Sequence, residues 1–339
     1  MAGWRYRIQP GIELAILSRR KPSLLSHILG GEVAEATEPS LVLDLEAREE
    51  SEAGASPSGS ASGPATARGV YKGIAWRYNV QREGDRWRVA FRSRLFQEYL
   101  ALHIALLPAL QRLLLDRDLT LIHGAAFTSD DGATLLAGMT GSGKTALLLG
   151  AIREGGQFIG DEYLSLSAAG AVTPIVHTLA LRQASLRLSG GALQPLSPLR
   201  RLALRTAAVA AALTGRRLDP LNHIPPQEFG LPVADDTGLR ARRFFWLEAS
   251  DGASPVVCEP ATPVEVIEKL SLMQQVHDAN YGDLGLTFDA ATGRATDEHN
   301  ERWRANLARG LADTSCYRLR YPRQALAQAL DLVLSLERP

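Results

Sequence analysis

The sequence predicts an α/β fold in two parts: a smaller sheet-rich amino-terminal domain over residues 1–95 and a larger domain over residues 96–339, built around a glycine-rich loop between a strand and a helix. Three observations predict it. Residues 41–45, 70–80 and 87–91 carry strand-like apolar spacing. An apolar TLLA run precedes Gly138 and a helical ALLLGAI run follows Thr145. Strand, loop, helix, strand is also the element order over residues 119–166, as an α/β core requires.

The whole chain sets broad limits. Its 339 residues can bury a sizeable core and suggest about two domains. Lysine plus arginine and aspartate plus glutamate both number 37, so no global field points to nucleic acid or to an acidic membrane surface. The two cysteines, Cys258 and Cys316, have neither metal-ligand nor redox spacing and are expected to be free thiols. The first twenty residues are interrupted by charge and proline before any signal-peptide core could form. The longest apolar segment, residues 100–115, contains His103, Pro108, Gln111 and Arg112 and falls short of the ~20 apolar residues a membrane span needs. A cytoplasmic protein with no membrane partner is expected.

Taken in order, residues 46–68 are acidic and then almost wholly Gly, Ala, Ser, Pro and Thr, too poor in apolar side chains to offset their ordering cost, and read as a flexible loop within the first domain. Residues 96–115 have helical apolar spacing and predict an amphipathic helix. Residues 119–127 and 134–137 predict adjacent strands around an SDDG turn. Residues 145–153 predict a helix ended by Gly155 and Gly156, and residues 157–166 a strand with Asp161 and Glu162 in its middle. The FFWLE run at Trp246 predicts a core strand, and residues 317–336 a short strand and a terminal helix. Residues 163–217 contain several arginines and no acid; they fit a solvated helix as well as a phosphate or acidic-peptide clamp.

GMTGSGKT at residues 138–145 satisfies G-x-x-x-x-G-K-[ST] in full. Gly138, Gly141 and Gly143 allow backbone angles and close approach that side chains would block, so successive amides can face phosphate oxygens, and the following helix adds its positive end. Lys144 can reach β and γ phosphates and the Thr145 hydroxyl can ligate Mg²⁺. A nucleoside triphosphate, ATP, would thus contact Gly138, Met139, Thr140, Gly141, Ser142, Gly143, Lys144, Thr145 and Ala146. Two adjacent buried acids are costly without a cation or donor, which points Asp161 or Glu162 towards metal or proton-transfer work. A strand-end turn with solvated acids is the alternative.

Together, HGAAF around His123, GMTGSGKT and GDEYL around Asp161 resemble the HPr serine kinase/phosphorylase family, whose core is related to phosphoenolpyruvate carboxykinase. The resemblance implies an HPr-kinase-like P-loop core. It implies an ATP- and Mg²⁺-dependent kinase with Asp161 as the base on the acceptor hydroxyl, Lys144 on the transferring phosphate, and Thr145 and Asp161 on the metal. His123 would order the acid cluster, and Glu162 replaces the family's second aspartate. The signature of true HPr kinases downstream of the acid pair is not found, so the implied acceptor is a hydroxyl of a peptide, another protein or a small molecule, serine above all. Peptide-kinase relatives that act on biosynthetic precursors fit this pattern, and the family's frequent oligomerisation implies a homo-oligomer. An ATPase coupling hydrolysis to motion and a non-catalytic nucleotide-dependent peptide-binding module are the competing functions.

Overall fold

The computed structural model describes residues 2–9, 11–29, 32–33, 38–46, 65–71, 73–181, 198, 202, 205–206, 209, 222–235, 238–281 and 296–336. The protein is mixed α/β, with several helices and more than one sheet. It divides into two compact units: residues 1–120 with 274–306, and residues 121–273 with 307–339.

The first unit is built on a six-stranded sheet in the order β1-β2-β3-β6-β5-β4, comprising β1 (Ala2–Gln9), β2 (Ile12–Ser18), β3 (Leu41–Asp44), β4 (Ala65–Tyr71), β5 (Ile74–Glu83) and β6 (Arg86–Ser93). The outer pairs are antiparallel, while β3 lies parallel to both β2 and β6. Alternation along β5 buries Trp76, Tyr78 and Val80 and turns Arg77 outward. The end of the expected loop is strand, because Ala65 to Arg68 pair with Val80 to Arg77 in β4 and β5. Residues 47–64 lie outside the described residues.

The Gln97–Leu115 helix lies within this unit, whose first segment ends at Thr120. Gln97 donates its side-chain N–H to the carbonyls of Leu45 and Phe91, and the Glu98 carboxylate accepts from the backbone N–H groups of Ser23, Leu24 and Leu25. The Leu107–Leu115 segment has the amphipathic spacing expected, but all of its residues are buried. Of the apolar window that makes the Gln97–Leu115 helix long and apolar enough to cross a membrane, 89% is buried inside the fold, as for a helix covered on every side. Its Ala101–Leu106 turn is widened to π geometry just ahead of Pro108, whose ring would clash with a carbonyl four residues back.

The second unit holds an eight-stranded sheet: β7 (Leu119–Ser129, its first residues in the other unit), β8 (Gly132–Ala137), β9 (Phe158–Gly160), β10 (Tyr163–Ser167), β11 (Ala171–Pro174), β14 (Leu239–Ser250), β15 (Val257–Ala261) and β16 (Ser315–Pro322). Its order is β11-β10-β7-β8-β14-β16-β15, with β9 on β7, and β11 pairs also with β14. A small separate sheet pairs β12 (Leu179–Leu181) with β13 (Asn222–Ile224). β8, β14 and β16 are mutually parallel, so their carboxyl ends share one edge. The Lys144–Arg153 helix follows β8 and buries Leu147, Leu148 and Ile152 in a core with Phe245, Leu319 and Val333 of the terminal Leu326–Ser335 helix. Each such side chain contributes about 1.5–3 kcal/mol on burial. Residues 182–221, which carry most of the arginine-rich stretch, lie almost wholly outside the described residues.

Candidate functional site

The site grows from the 138–145 loop. Gly138, Gly141 and Gly143 have φ of 157°, 83° and 89°, backbone that side chains rarely adopt. Crowding adds a second reason for two of them. A Cβ on Gly138 would stand 2.6 Å from the Leu247 carbonyl oxygen, and one on Gly143 would stand 2.5 Å from the Tyr321 hydroxyl. Tyr321 donates to the Ser142 carbonyl, fixing the loop to the end of β16, and Ser142 N–H returns to the Met139 carbonyl at 3.0 Å. Met139, Thr140 and Gly141 form the exposed crest, while Ser142, Lys144 and Ala146 are buried. The helix that starts at Lys144 has no side-chain cap, so its first amides remain directed at the space above the loop.

Lys144 Nζ donates to the Gly138 carbonyl at 2.7 Å, folded back across the loop. The Thr145 hydroxyl lies against the Asp161 carboxylate. Asp161 is 1% exposed and accepts further from the Ala180 N–H on β12 at 3.1 Å and from the Glu162 N–H at 3.0 Å. Burial raises its pKa from 3.8 to about 6 against the pull of those donors and of the Lys144 charge.

The expected strand over residues 157–166 is broken at the acids. β9 ends at Gly160, β10 begins at Tyr163, and Glu162 sits between them at φ 73°, a left-handed conformation strained for glutamate. The break removes the strict alternation that would have thrown the two side chains to opposite faces, and both are buried: the turn exists, but its acids are not solvated. The Tyr163 N–H bonds the Asp161 carbonyl and the Gly124 N–H bonds the Glu162 carbonyl, both at 3.0 Å.

His123, on β7 directly before Gly124, is half-buried with its ring edge-on to Tyr163, centroids 5.1 Å apart. The structure thus gathers Lys144, Thr145 and Asp161 into one cluster and places His123 on the strand that holds the Glu162 carbonyl. One residue had no sequence signal. His223 on β13 stands opposite Ala180 in register, with Nε2 3.8 Å from Glu162 Oε2 and Nδ1 3.1 Å from the Thr178 hydroxyl. Nothing within a window around residue 223 could have marked it, because its partners come from strands far away in sequence.

The fit of a triphosphate and its metal rests on three features. Three glycines of the loop take positive φ, and at Gly138 and Gly143 a Cβ would also collide with the Leu247 carbonyl and the Tyr321 hydroxyl. The Ser142 hydroxyl oxygen, buried on the loop, has no hydrogen-bond partner among the described residues. Thr145 and Asp161 place a hydroxyl and a carboxylate together at a helix amino terminus. Among the described residues no three His, Cys, Asp or Glu cluster as a self-sufficient metal site. Thr145 and Asp161 instead suit an ion such as Mg²⁺ that keeps most of its ligands as water and phosphate oxygen. No protein-family model matches the chain, and none of the curated proteins matches it.

Proposed function

We propose that the protein is an ATP- and Mg²⁺-dependent kinase of the HPr-kinase-like kind, with a P-loop at residues 138–145, that transfers the γ-phosphate to a hydroxyl. Serine of a peptide or protein is the favoured acceptor class. The observation that carries the reading is the Thr145–Asp161 contact at the amino terminus of the helix that leaves the glycine loop.

Lys144 leaves the Gly138 carbonyl for the β and γ phosphates, and the loop amides hold their oxygens. Thr145 and Asp161 would hold the Mg²⁺, which would supply charge neutralisation when bound. Asp161, the carboxylate beside Thr145, is the proposed base that takes the acceptor's proton. Glu162 and His123 shape the acid cluster from the β9–β10 break and from β7.

The test is incubation of the purified protein with Mg²⁺ and γ-labelled ATP, with and without serine-containing peptides, read by mass spectrometry. A phosphate mass shift that is absent with Lys144→Ala supports the kinase. Acceptor-independent hydrolysis would replace it with an ATPase, and binding without turnover would replace it with a nucleotide-dependent binding module.

A further inference from the structure

Three parallel strands end at the edge where the 138–145 loop stands. β8 ends at Ala137 and enters the loop, β14 ends at Ser250 and delivers Asp251, and β16 ends at Pro322 and delivers Arg323. Carboxyl ends of parallel strands are where α/β sheets place their ligands. Arg323 Nε meets Asp251 Oδ1 at 3.0 Å. Its Nη1 lies 3.6 Å from where a Cβ on Gly141 would stand, beside the loop crest. Tyr321, two residues earlier, bonds the Ser142 carbonyl, so this strand end and the loop are fixed to one another.

The pair does little for the fold. The Arg323 side chain is 48% exposed and that of Asp251 88%, and such an ion pair contributes about 0–1 kcal/mol. A guanidinium, however, carries five donors in a planar fork that matches phosphate oxygens, and Asp251 engages only one edge of it.

We infer that Arg323 is a second cation for the polyphosphate received by the loop, with Asp251 holding it beside Gly141 until the ligand arrives. The ligand class is the β and γ phosphates of a nucleoside triphosphate. The inference rests on the nucleotide reading of the loop, but its failure can be told apart from the failure of that reading.

The experiment is calorimetric titration of the full chain with MgATP, with inorganic triphosphate plus Mg²⁺, and with AMP, using wild type, Arg323→Ala, Arg323→Lys, Asp251→Asn and Lys144→Ala. Arg323→Ala is expected to weaken both triphosphates about tenfold, the loss of one charge-assisted bond. Arg323→Lys should recover part of the loss, Asp251→Asn should not weaken binding, and AMP binding should not respond to Arg323. Wild-type affinity in Arg323→Ala overturns the inference, as does an equal loss in Asp251→Asn, which would make the pair a structural brace. If only Lys144→Ala weakens binding, the loop reading stands and the role of Arg323 falls. If only Arg323→Ala does, both fall, because Arg323 then binds the anion without the loop. A wild type that binds neither triphosphate overturns both.

Discussion

The Thr145 hydroxyl lies 3.0 Å from Oδ2 and 3.3 Å from Oδ1 of Asp161, joining the first turn of a helix to the break between β9 and β10. The contact makes a buried carboxylate the partner of a residue that begins a helix, at the point where that helix offers a positive end.

Asp161→Asn is expected to make the protein more stable relative to wild type as pH rises. Burial lifts the Asp161 pKa from 3.8 to about 6, so between those values the folded protein holds a proton that the unfolded chain has released. This stabilisation is full below pH 3.8, falls as pH passes through about 6, and amounts to about 3 kcal/mol. Melting temperatures of both proteins at pH 5 and pH 8 without ligand check it. A gap that does not widen towards pH 8 would show that Asp161 titrates normally.

Gly143→Ala is expected to cost about 2–3 kcal/mol, through a left-handed φ and the approach of its Cβ to the Tyr321 hydroxyl at 2.5 Å. Tyr321→Phe removes that oxygen, so the double variant should be less destabilised than the two single effects added together. Urea denaturation of the four proteins measures the difference, and strict additivity would mean that the loop moves away from Tyr321.

Glu162 and His223 should be energetically coupled. Their side chains are 8% and 1% exposed and face one another at 3.8 Å, with Thr178 setting the imidazole's tilt. A double-mutant cycle of Glu162→Gln and His223→Ala should give a coupling of about 0.5–3 kcal/mol, and Thr178→Val should lower it. A coupling near zero would leave the pair as mere neighbours.

Lys144→Met should leave the fold intact, because the stem stays packed while the bond to the Gly138 carbonyl and the charge near Asp161 are lost. Any stabilisation that MgATP gives the wild type should vanish in this variant. Equal ligand-induced stabilisation of both proteins would remove Lys144 from the site.

The strands and helices nearest the loop were legible because a local period and a full motif coincide there: TLLA, GMTGSGKT and ALLLGAI become β8, the loop and the Lys144–Arg153 helix. Two shortfalls share a cause. The apolar spacing of residues 96–115 announces a helix but not that tertiary packing buries Gln111 and Arg112 as well. Residues 157–166 looked like one strand because apolar residues flank the acids on both sides, and nothing local announces that a glutamate will adopt φ 73°. β1 and β2 passed unnoticed, since Arg5, Arg7 and Glu13 dilute their pattern. His223 and Arg323 reach the site only through strand pairing.

Because the Tyr321 hydroxyl grips the Ser142 carbonyl, the peptide plane between Ser142 and Gly143 cannot rotate, and its N–H must face away from Tyr321. Burial pushes the Tyr321 phenol above its ordinary pKa, which favours the protonated donor. A slack loop would have to find this one arrangement anew for each arriving anion; here folding has already chosen it. The configurational toll of association therefore falls on folding rather than on each encounter, and an anion docking here would bind with little entropic penalty from loss of chain freedom.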